Sequence, residues 1–315
     1  MILAFCLFFT PVFAEARQLV PGGMAIGIAV QSDGAMVAGF SENGNSPAAS
    51  AGLMPGDIIT AVNGTSVFSC DDVKSAVQDL GGEPITVSIN RNGVSADYTV
   101  TPLICEDGSW ELGMYLRDSL TGIGTVTYYD PESGEYGALG HGINDAGSGV
   151  LIPIKSGNIT NAVVTDVQKG KCGTPGQLIG RFDFSESCGD VASNTNCGIF
   201  GVSDSALADN TAMETAENDE IVTGNATIIS SVDESGPQEY SVQIVRVYHG
   251  ENNARDMMLK VTDERLLSKT GGIVQGMSGS PIIQNGKIIG AVTHVLVNDP
   301  SRGFGVSIEN MLNAA

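Results

Sequence analysis

The sequence predicts a mainly β protein of two domains. Three observations carry that expectation. The chain has 315 residues, enough for roughly two cores. It holds 41 glycines against a single tryptophan, with 42% hydrophobic residues, as suits many strands joined by tight turns. After residue 122, short apolar runs recur: 124–129, 150–154, 162–167, 221–229 and 240–248. Gly, Asn, Asp and Ser separate them, the pattern of an antiparallel barrel or sandwich.

Residues 22–103 read as the first of these domains. The segment Met24-Ala25-Ile26-Gly27-Ile28-Ala29-Val30 is an apolar, glycine-containing loop leading into a strand. Ser46 to Leu53 forms a short helix, and Met54-Pro55-Gly56-Asp57-Ile58-Ile59 follows as turn and strand. Apolar residues at Val73, Ala76, Val77 and Leu80 have helical spacing, with Asp71 and Asp72 near the helix start. The segments 85–89 and 98–100 are strands around an Asn92-Gly93 turn. The Gly-Leu-x-Pro-Gly-Asp-x-Ile pattern is that of a PDZ domain of the bacterial protease type. In such a domain a glycine-containing loop offers backbone N–H groups to a peptide carboxylate, and the strand takes the peptide by β-augmentation. Met24, Ala25, Ile26, Gly27 and Ile28 are the residues expected to form that loop.

Residues 104–315 form the second domain, and Gly276-Met277-Ser278-Gly279-Ser280-Pro281 is its most telling stretch. Flanking glycines let the backbone bend sharply around a projecting serine. The N–H groups of Gly276 and Ser278 are the expected oxyanion hole. Ile282-Ile283, the turn Asn285-Gly286 and the run 288–292 make a hairpin directly behind it. A chymotrypsin-like (trypsin-like) β-barrel with Ser278 as nucleophile is the expectation.

Three histidines compete for the role of base. His249 ends a strand, His294 follows the run 288–292, and His141 sits between Gly140 and Gly142. His141 precedes the serine by more than a hundred residues, the His-then-Ser order of chymotrypsin-like enzymes. It is the expected base, with His249 and His294 as structural residues. For the orienting acid the candidates are Asp145, Asp166, Asp263 and Asp299. Asp166 lies 25 residues after His141 and Asp263 lies 15 before Ser278, and spacing alone leaves both open. Met277 occupies the place where digestive enzymes carry an aspartate that pairs with a freed N-terminus. Activation through that ion pair is therefore excluded.

With these residues in view, the chain resembles the SpoIVB peptidase family of endospore-forming bacteria. The matching segments are Pro21 to Gly27, Gly122-Ile123-Gly124-Thr125, Gly140-His141-Gly142-Ile143 and Gln275 to Pro281. The resemblance covers nearly everything after residue 18. It implies a His, Asp, Ser triad with the acid shortly before the serine: His141, Asp263 and Ser278. It further implies regulatory proteolysis in sporulation, in which a membrane-held SpoIVFA-like subunit is cut and an intramembrane protease is released for sigma-factor maturation. Export across the forespore inner membrane into the intermembrane space belongs to the same picture. So does self-cleavage, with residues 14–18 as a suitable place. Two rivals remain: a quality-control protease of the HtrA type, which usually places its PDZ module last, and a catalytically silent PDZ scaffold.

The remaining features bound the partners. A net charge of −21 speaks against nucleic acid and against anionic lipid surfaces. No nucleotide-binding or metal-ligand motif appears, so no cofactor and no metal are expected. Residues 1–14 are apolar and end in Val12-Phe13-Ala14, which fits a signal peptide or a membrane-anchor remnant. Of six cysteines, Cys172, Cys188 and Cys197 cluster in a polar stretch compatible with one disulfide.

Overall fold

The computed structural model describes residues 17–315 except 42–43, 148, 209 and 249–253. The expectations for residues 1–14 and for His249 fall outside the described residues. The chain opens with β1 (Gln18–Pro21) and the long strand β2 (Ala25–Phe40). An insert follows: α1 (Pro47–Ala51), β3 (Ile58–Val62), β4 (Thr65–Ser66), α2 (Cys70–Leu80), β5 (Ile85–Arg91), β6 (Val94–Val100), β7 (Leu103–Ile104) and β8 (Trp110–Glu111). The chain returns through β9 (Met114–Tyr129), then β10 (Glu135–Ala138), β11 (Ile154–Gln168), β12 (Gln177–Thr195), β13 (Gly198–Val202) and β14 (Met213–Glu214). The last third holds β15 (Gly224–Ser231), β16 (Pro237–Val247), β17 (Met257–Val261), α3 (Glu264–Thr270), β18 (Pro281–Gln284), β19 (Lys287–Leu296), β20 (Asp299–Ser307) and α4 (Ile308–Ala314).

Two rings of six strands result. In the first, β2, β9, β10, β13, β12 and β11 pair in that order, and β11 returns to β2. The second is a closed barrel in the order β15, β16, β17, β20, β19, β18. Both fill with alternate residues of their strands, as the two-residue period of a strand requires. On β16, for example, Tyr240, Val242 and Ile244 point inward between more exposed neighbours. Ala25, Val164 and Leu178 of the first ring pack into the core of the second, so the barrels share a buried seam. The protein is thus mainly β, with the chymotrypsin-like barrel architecture expected, and no helix among the described residues is long and apolar enough to cross a membrane.

The PDZ domain is not a separate N-terminal bead. It is inserted between the first two strands of the first ring, and both strands run through the junction. The first half of β2 pairs with residues 119–125 of β9, and its second half, Met36 to Phe40, pairs with residues 114–117. The ladder breaks between Gln31 and Met36. Gly34 makes the break there: its φ is +117°, and a Cβ would lie 2.5 Å from the Ile59 carbonyl oxygen. The PDZ core contains Ala35, Val37, Ile59, Val73, Val77, Val87 and Ile89, together with Leu112 just before β9. The domain therefore reaches beyond residue 103, while residues 25–31 belong to the barrel.

Local chemistry explains the insert's helices. Ser46 caps α1 by accepting from the Ala49 N–H, with Pro47 in the first turn. Ser69 caps α2 by accepting from Asp72, and Val73 and Val77 bury one face. The Pro-Gly-Asp turn is tied by Asp57, whose buried carboxylate accepts two bonds from Arg91, at 2.6 and 2.7 Å, and one from the Met54 N–H.

Candidate active site

The serine loop, residues 271–280, is stitched to both barrels. On the second barrel, the Gly279 N–H donates to Val292 O at 2.8 Å and the Val292 N–H to Ser280 O at 2.9 Å. Ser280 Oγ donates to Met277 O at 2.7 Å, beneath a fully buried Met277 side chain. On the first barrel, Thr125 reaches across the seam twice. Its N–H donates to Ser278 O at 3.0 Å, and its Oγ1 donates to Gly276 O at 2.8 Å. Gly279 allows this approach: its φ is +98°, and a Cβ would sit 2.0 Å from the Thr125 carbonyl oxygen. The N–H groups of Gly276 and Ser278 have no acceptor among the described residues, which leaves them free for an incoming oxyanion.

The histidine loop leaves β10 through two consecutive left-handed residues, Leu139 (φ 69°) and Gly140 (φ 67°). Left-handed leucine is strained. It is held here by its N–H, which donates to Thr125 O at 3.2 Å, and by a side chain buried in the first barrel. Two turns in the wrong-handed region swing His141 out of the sheet and over the seam. Its Nδ1 lies 2.8 Å from the Gly142 carbonyl oxygen. A carbonyl only accepts, so Nδ1 carries the hydrogen and Nε2 keeps the lone pair. That is the tautomer a general base needs.

His141 and Ser278 line one cleft of about 420 Å³. His294, on β19, lines it as well. The rings of His141 and His294 lie 5.0 Å apart between centroids and are tilted by 39°. Burial pushes the His141 pKa down, with the Gly142 carbonyl acting in the opposite sense. Burial, then the proximity of His141 and of Arg255, brings that of His294 down to about 4. His294 Nδ1 is buried without a hydrogen-bond partner among the described residues. Ser278 Oγ donates to the carbonyl of Thr293, the residue before His294, at 2.7 Å.

The structure does not bring the expected triad acid, Asp263, to His141. Asp263 caps α3: its carboxylate accepts from the N–H groups of Arg265, Leu266 and Ser241 and from the Arg265 guanidinium. Register shows how far off this is. Met257 pairs with Gly305, which pairs with Val292 beside the cleft. Asp263 lies six residues further along, on the order of 20 Å away at about 3.3 Å per residue. The runner-up Asp166 is exposed on β11, Asp145 is buried against Arg117, and Asp299 accepts from Ser301 at the start of β20. No carboxylate bonds to His141 among the described residues.

The expected PDZ loop is also displaced. Met24 to Ile28 lead into or lie on β2 within the barrel, where residues 26–28 pair with β11 on one side and β9 on the other. Ile28 lines the cleft instead. The free PDZ edge beside α2 is the start of β9, entered through Leu112-Gly113-Met114. That run carries the same signal, a glycine between apolar residues ahead of a strand. Cys70, Cys105, Cys172, Cys188 and Cys197 are all free thiols, so the disulfide considered within the polar cluster is not formed.

Barrels that share a seam, a serine and a histidine lining one cleft at it, and an inserted PDZ module define a serine peptidase of the chymotrypsin-like class. The sequence matches the SpoIVB peptidase S55 family over residues 108–312, well over half of the chain, and a PDZ domain over 43–91. The chain belongs to the SpoIVB peptidase S55 family. Among known proteins, it is 42% identical over 57 residues to the zinc metalloprotease RasP of Shouchella clausii, covering 18% of this chain and 14% of that one. It is 32% identical over 111 residues to the regulator of sigma E protease of Haemophilus influenzae, covering 35% and 24%. The chain thus spans a quarter or less of the length of these two relatives. Among solved structures, an inactive form of Rv3671c from M. tuberculosis H37Rv aligns over 61% of this chain and 79% of its own, at 14% identity and a TM-score of 0.36. The PDZ domain of the SdrC-like protein of Listeria monocytogenes aligns over 28% and 90%, at 20% identity and a TM-score of 0.25.

Proposed function

We propose that this peptidase performs regulatory proteolysis in sporulation signalling, with Ser278 as nucleophile and His141 as base. The observation that carries the chemistry is the cleft itself. Ser278, His141 with its hydrogen on Nδ1, and Gly276, whose N–H like that of Ser278 has no acceptor among the described residues, line one cleft at the barrel seam. In the attacking arrangement Ser278 Oγ exchanges the Thr293 carbonyl for His141 Nε2. The oxygen adds to the scissile carbonyl as its proton passes to Nε2. The Gly276 and Ser278 N–H groups take the oxyanion, and the proton is then delivered to the leaving amine. Water repeats the sequence to free the acyl group.

Family membership supports the substrate, a membrane-held regulatory protein of the SpoIVFA type, and supports self-cleavage near residues 14–18. It also supports action in the intermembrane space of the developing spore after export. The PDZ edge at Tyr115 to Arg117, beside α2, is where a regulatory peptide would add as a strand. The test is cleavage by the full chain and its Ser278→Ala form of the soluble part of a SpoIVFA-like protein and of unfolded casein. Cleavage of the first alone, lost in the variant, is expected. Broad casein cleavage would instead favour a quality-control protease of the HtrA type. No cleavage, with no labelling of Ser278 by a serine-directed phosphonate, would favour a silent PDZ scaffold.

A further inference from the structure

We propose that the specificity pocket beside Ser278 takes a short aliphatic side chain, with Ile273 as its floor, so that the scissile bond follows a residue such as valine or alanine. This rests on the assignment of Ser278 as nucleophile above. In chymotrypsin-like peptidases the pocket that holds the side chain before the scissile bond sets the preference, through an aspartate, a deep apolar slot or a small one. Here the second-barrel half of the cleft is walled by Val274 and Gln275 of the serine loop and by Thr293, His294 and Val295 of β19. The first wall is pinned at Gln275, whose N–H donates to Gly176 O at 2.9 Å and whose carbonyl accepts from the Leu178 N–H at 2.8 Å. The second wall lies where the ladder between β19 and β20 shifts register, between Val292 and Val295.

Two positions decide what fits between these walls. Gly272 lies six residues before Ser278, the place where trypsin carries its aspartate. Its φ is +138°, and a Cβ there would lie 2.0 Å from the Pro300 carbonyl oxygen. No side chain, and so no carboxylate, fits at that position. Ile273 comes next. It lines the cleft yet is only 2% exposed, and its N–H donates to Pro300 O at 2.8 Å, so it is packed firmly in place. A Cβ on Gly303 of β20 would lie 2.6 Å from Ile273 Cδ1 and 2.5 Å from His294 O. Gly303 therefore closes the bottom between the two walls, and the isoleucine tip fills the space above it. That leaves a shallow slot. No Asp, Glu, Lys or Arg lines the cleft among the described residues, and burial holds its two histidines below 6.5. A charged side chain would enter without a partner, which is costly in an apolar site. A long aromatic one would meet Ile273.

The test uses the full chain with the substitutions Ile273→Ala, Ile273→Val and Ser278→Ala, and diphenyl α-aminoalkylphosphonates bearing the side chain of valine, phenylalanine, lysine or glutamate. Each probe phosphonylates a nucleophilic serine with loss of phenol, so the rate of mass gain reads the pocket without a known substrate. In the parent the valine probe is expected to label fastest, the phenylalanine probe roughly tenfold or more slower, and the two charged probes slowest. Ile273→Ala is expected to raise the phenylalanine-to-valine rate ratio on the order of 10–100-fold, and Ile273→Val to raise it by less. A merely structural isoleucine would slow all four probes together, so an unchanged ratio in Ile273→Ala overturns the role of Ile273. Should Ile273→Ala fail to fold, the ratio in Ile273→Val decides in its place. A parental preference for the phenylalanine, lysine or glutamate probe overturns the shallow aliphatic pocket. Labelling by no probe, or labelling that survives Ser278→Ala, overturns instead the underlying assignment of Ser278.

Discussion

Thr125 binds the serine loop from the opposite barrel: its N–H holds the carbonyl of Ser278 at 3.0 Å while its hydroxyl holds that of Gly276 at 2.8 Å. One residue of the first barrel thereby fixes the Gly276–Met277 and Ser278–Gly279 peptide planes. Each adjoins, across the Cα of Gly276 or Ser278, the plane that carries an N–H assigned to the oxyanion.

Removing the hydroxyl tests this. Thr125→Val keeps the shape and leaves the Gly276 carbonyl without its donor, at a cost of about 1–2 kcal/mol in stability. Peptide cleavage is expected to slow by roughly tenfold in kcat with KM little changed, since the lost order matters most in the transition state. Steady-state kinetics and urea melts of the purified variant check both.

Gly279→Ala is expected to be far more damaging. The new methyl meets the Thr125 carbonyl oxygen at 2.0 Å, and alanine dislikes a φ of +98°. A loss of about 3 kcal/mol or more follows, seen as a lower urea midpoint and as loss of phosphonate labelling at Ser278.

Asp263→Ala separates a cap from a catalyst. Loss of the α3 cap is expected to cost about 1–2 kcal/mol while kcat stays within a few-fold of the parent. The Arg265 guanidinium and nearby N–H groups bring the Asp263 pKa down to about 2 from 3.8. A carboxylate shifted this way stabilises the fold above its unfolded value and loses that contribution as pH falls from 3.8 toward 2. Acid melts of the parent and the variant should therefore converge in that window.

The histidines set a different pH response. Burial holds His141 below its usual 6.5, so the base stays neutral and active into mildly acidic solution. The acid limb of kcat/KM is expected to have its midpoint below 6.5. The sign for stability is the same: unfolding frees both rings to take up protons. The fold therefore loses stability as pH drops below 6.5, down to about 4 for His294. A pH series of urea midpoints measures this.

The shared strands predict cooperative unfolding. Because β2 and β9 each contribute to both the PDZ sheet and the first barrel, the two cannot melt independently without breaking one strand in the middle. Arg91→Met leaves buried Asp57 without its cation, at a cost of about 3 kcal/mol. Calorimetry is expected to show one transition, shifted as a whole in that variant.

The mainly β class, the PDZ signature around Asp57 and the Gly276–Pro281 loop were legible along the chain, because each is local. Turn glycines, capping residues and a two-residue period act over a few positions. The hairpin at Asn285-Gly286 and the helix over Cys70–Leu80 were legible for the same reason. β12, nineteen residues long, was not: its Ser, Asn and Gly content reads as loop, and pairing to β11 and β13 overrides that preference. Only tertiary structure decided that residues 25–31 pair with 119–125, which moved Met24 to Ile28 out of the PDZ domain. It also decided that His294, and not Asp263, faces His141. Strand register and the closure of two barrels set those distances, and neither is written in the spacing of residues along the chain.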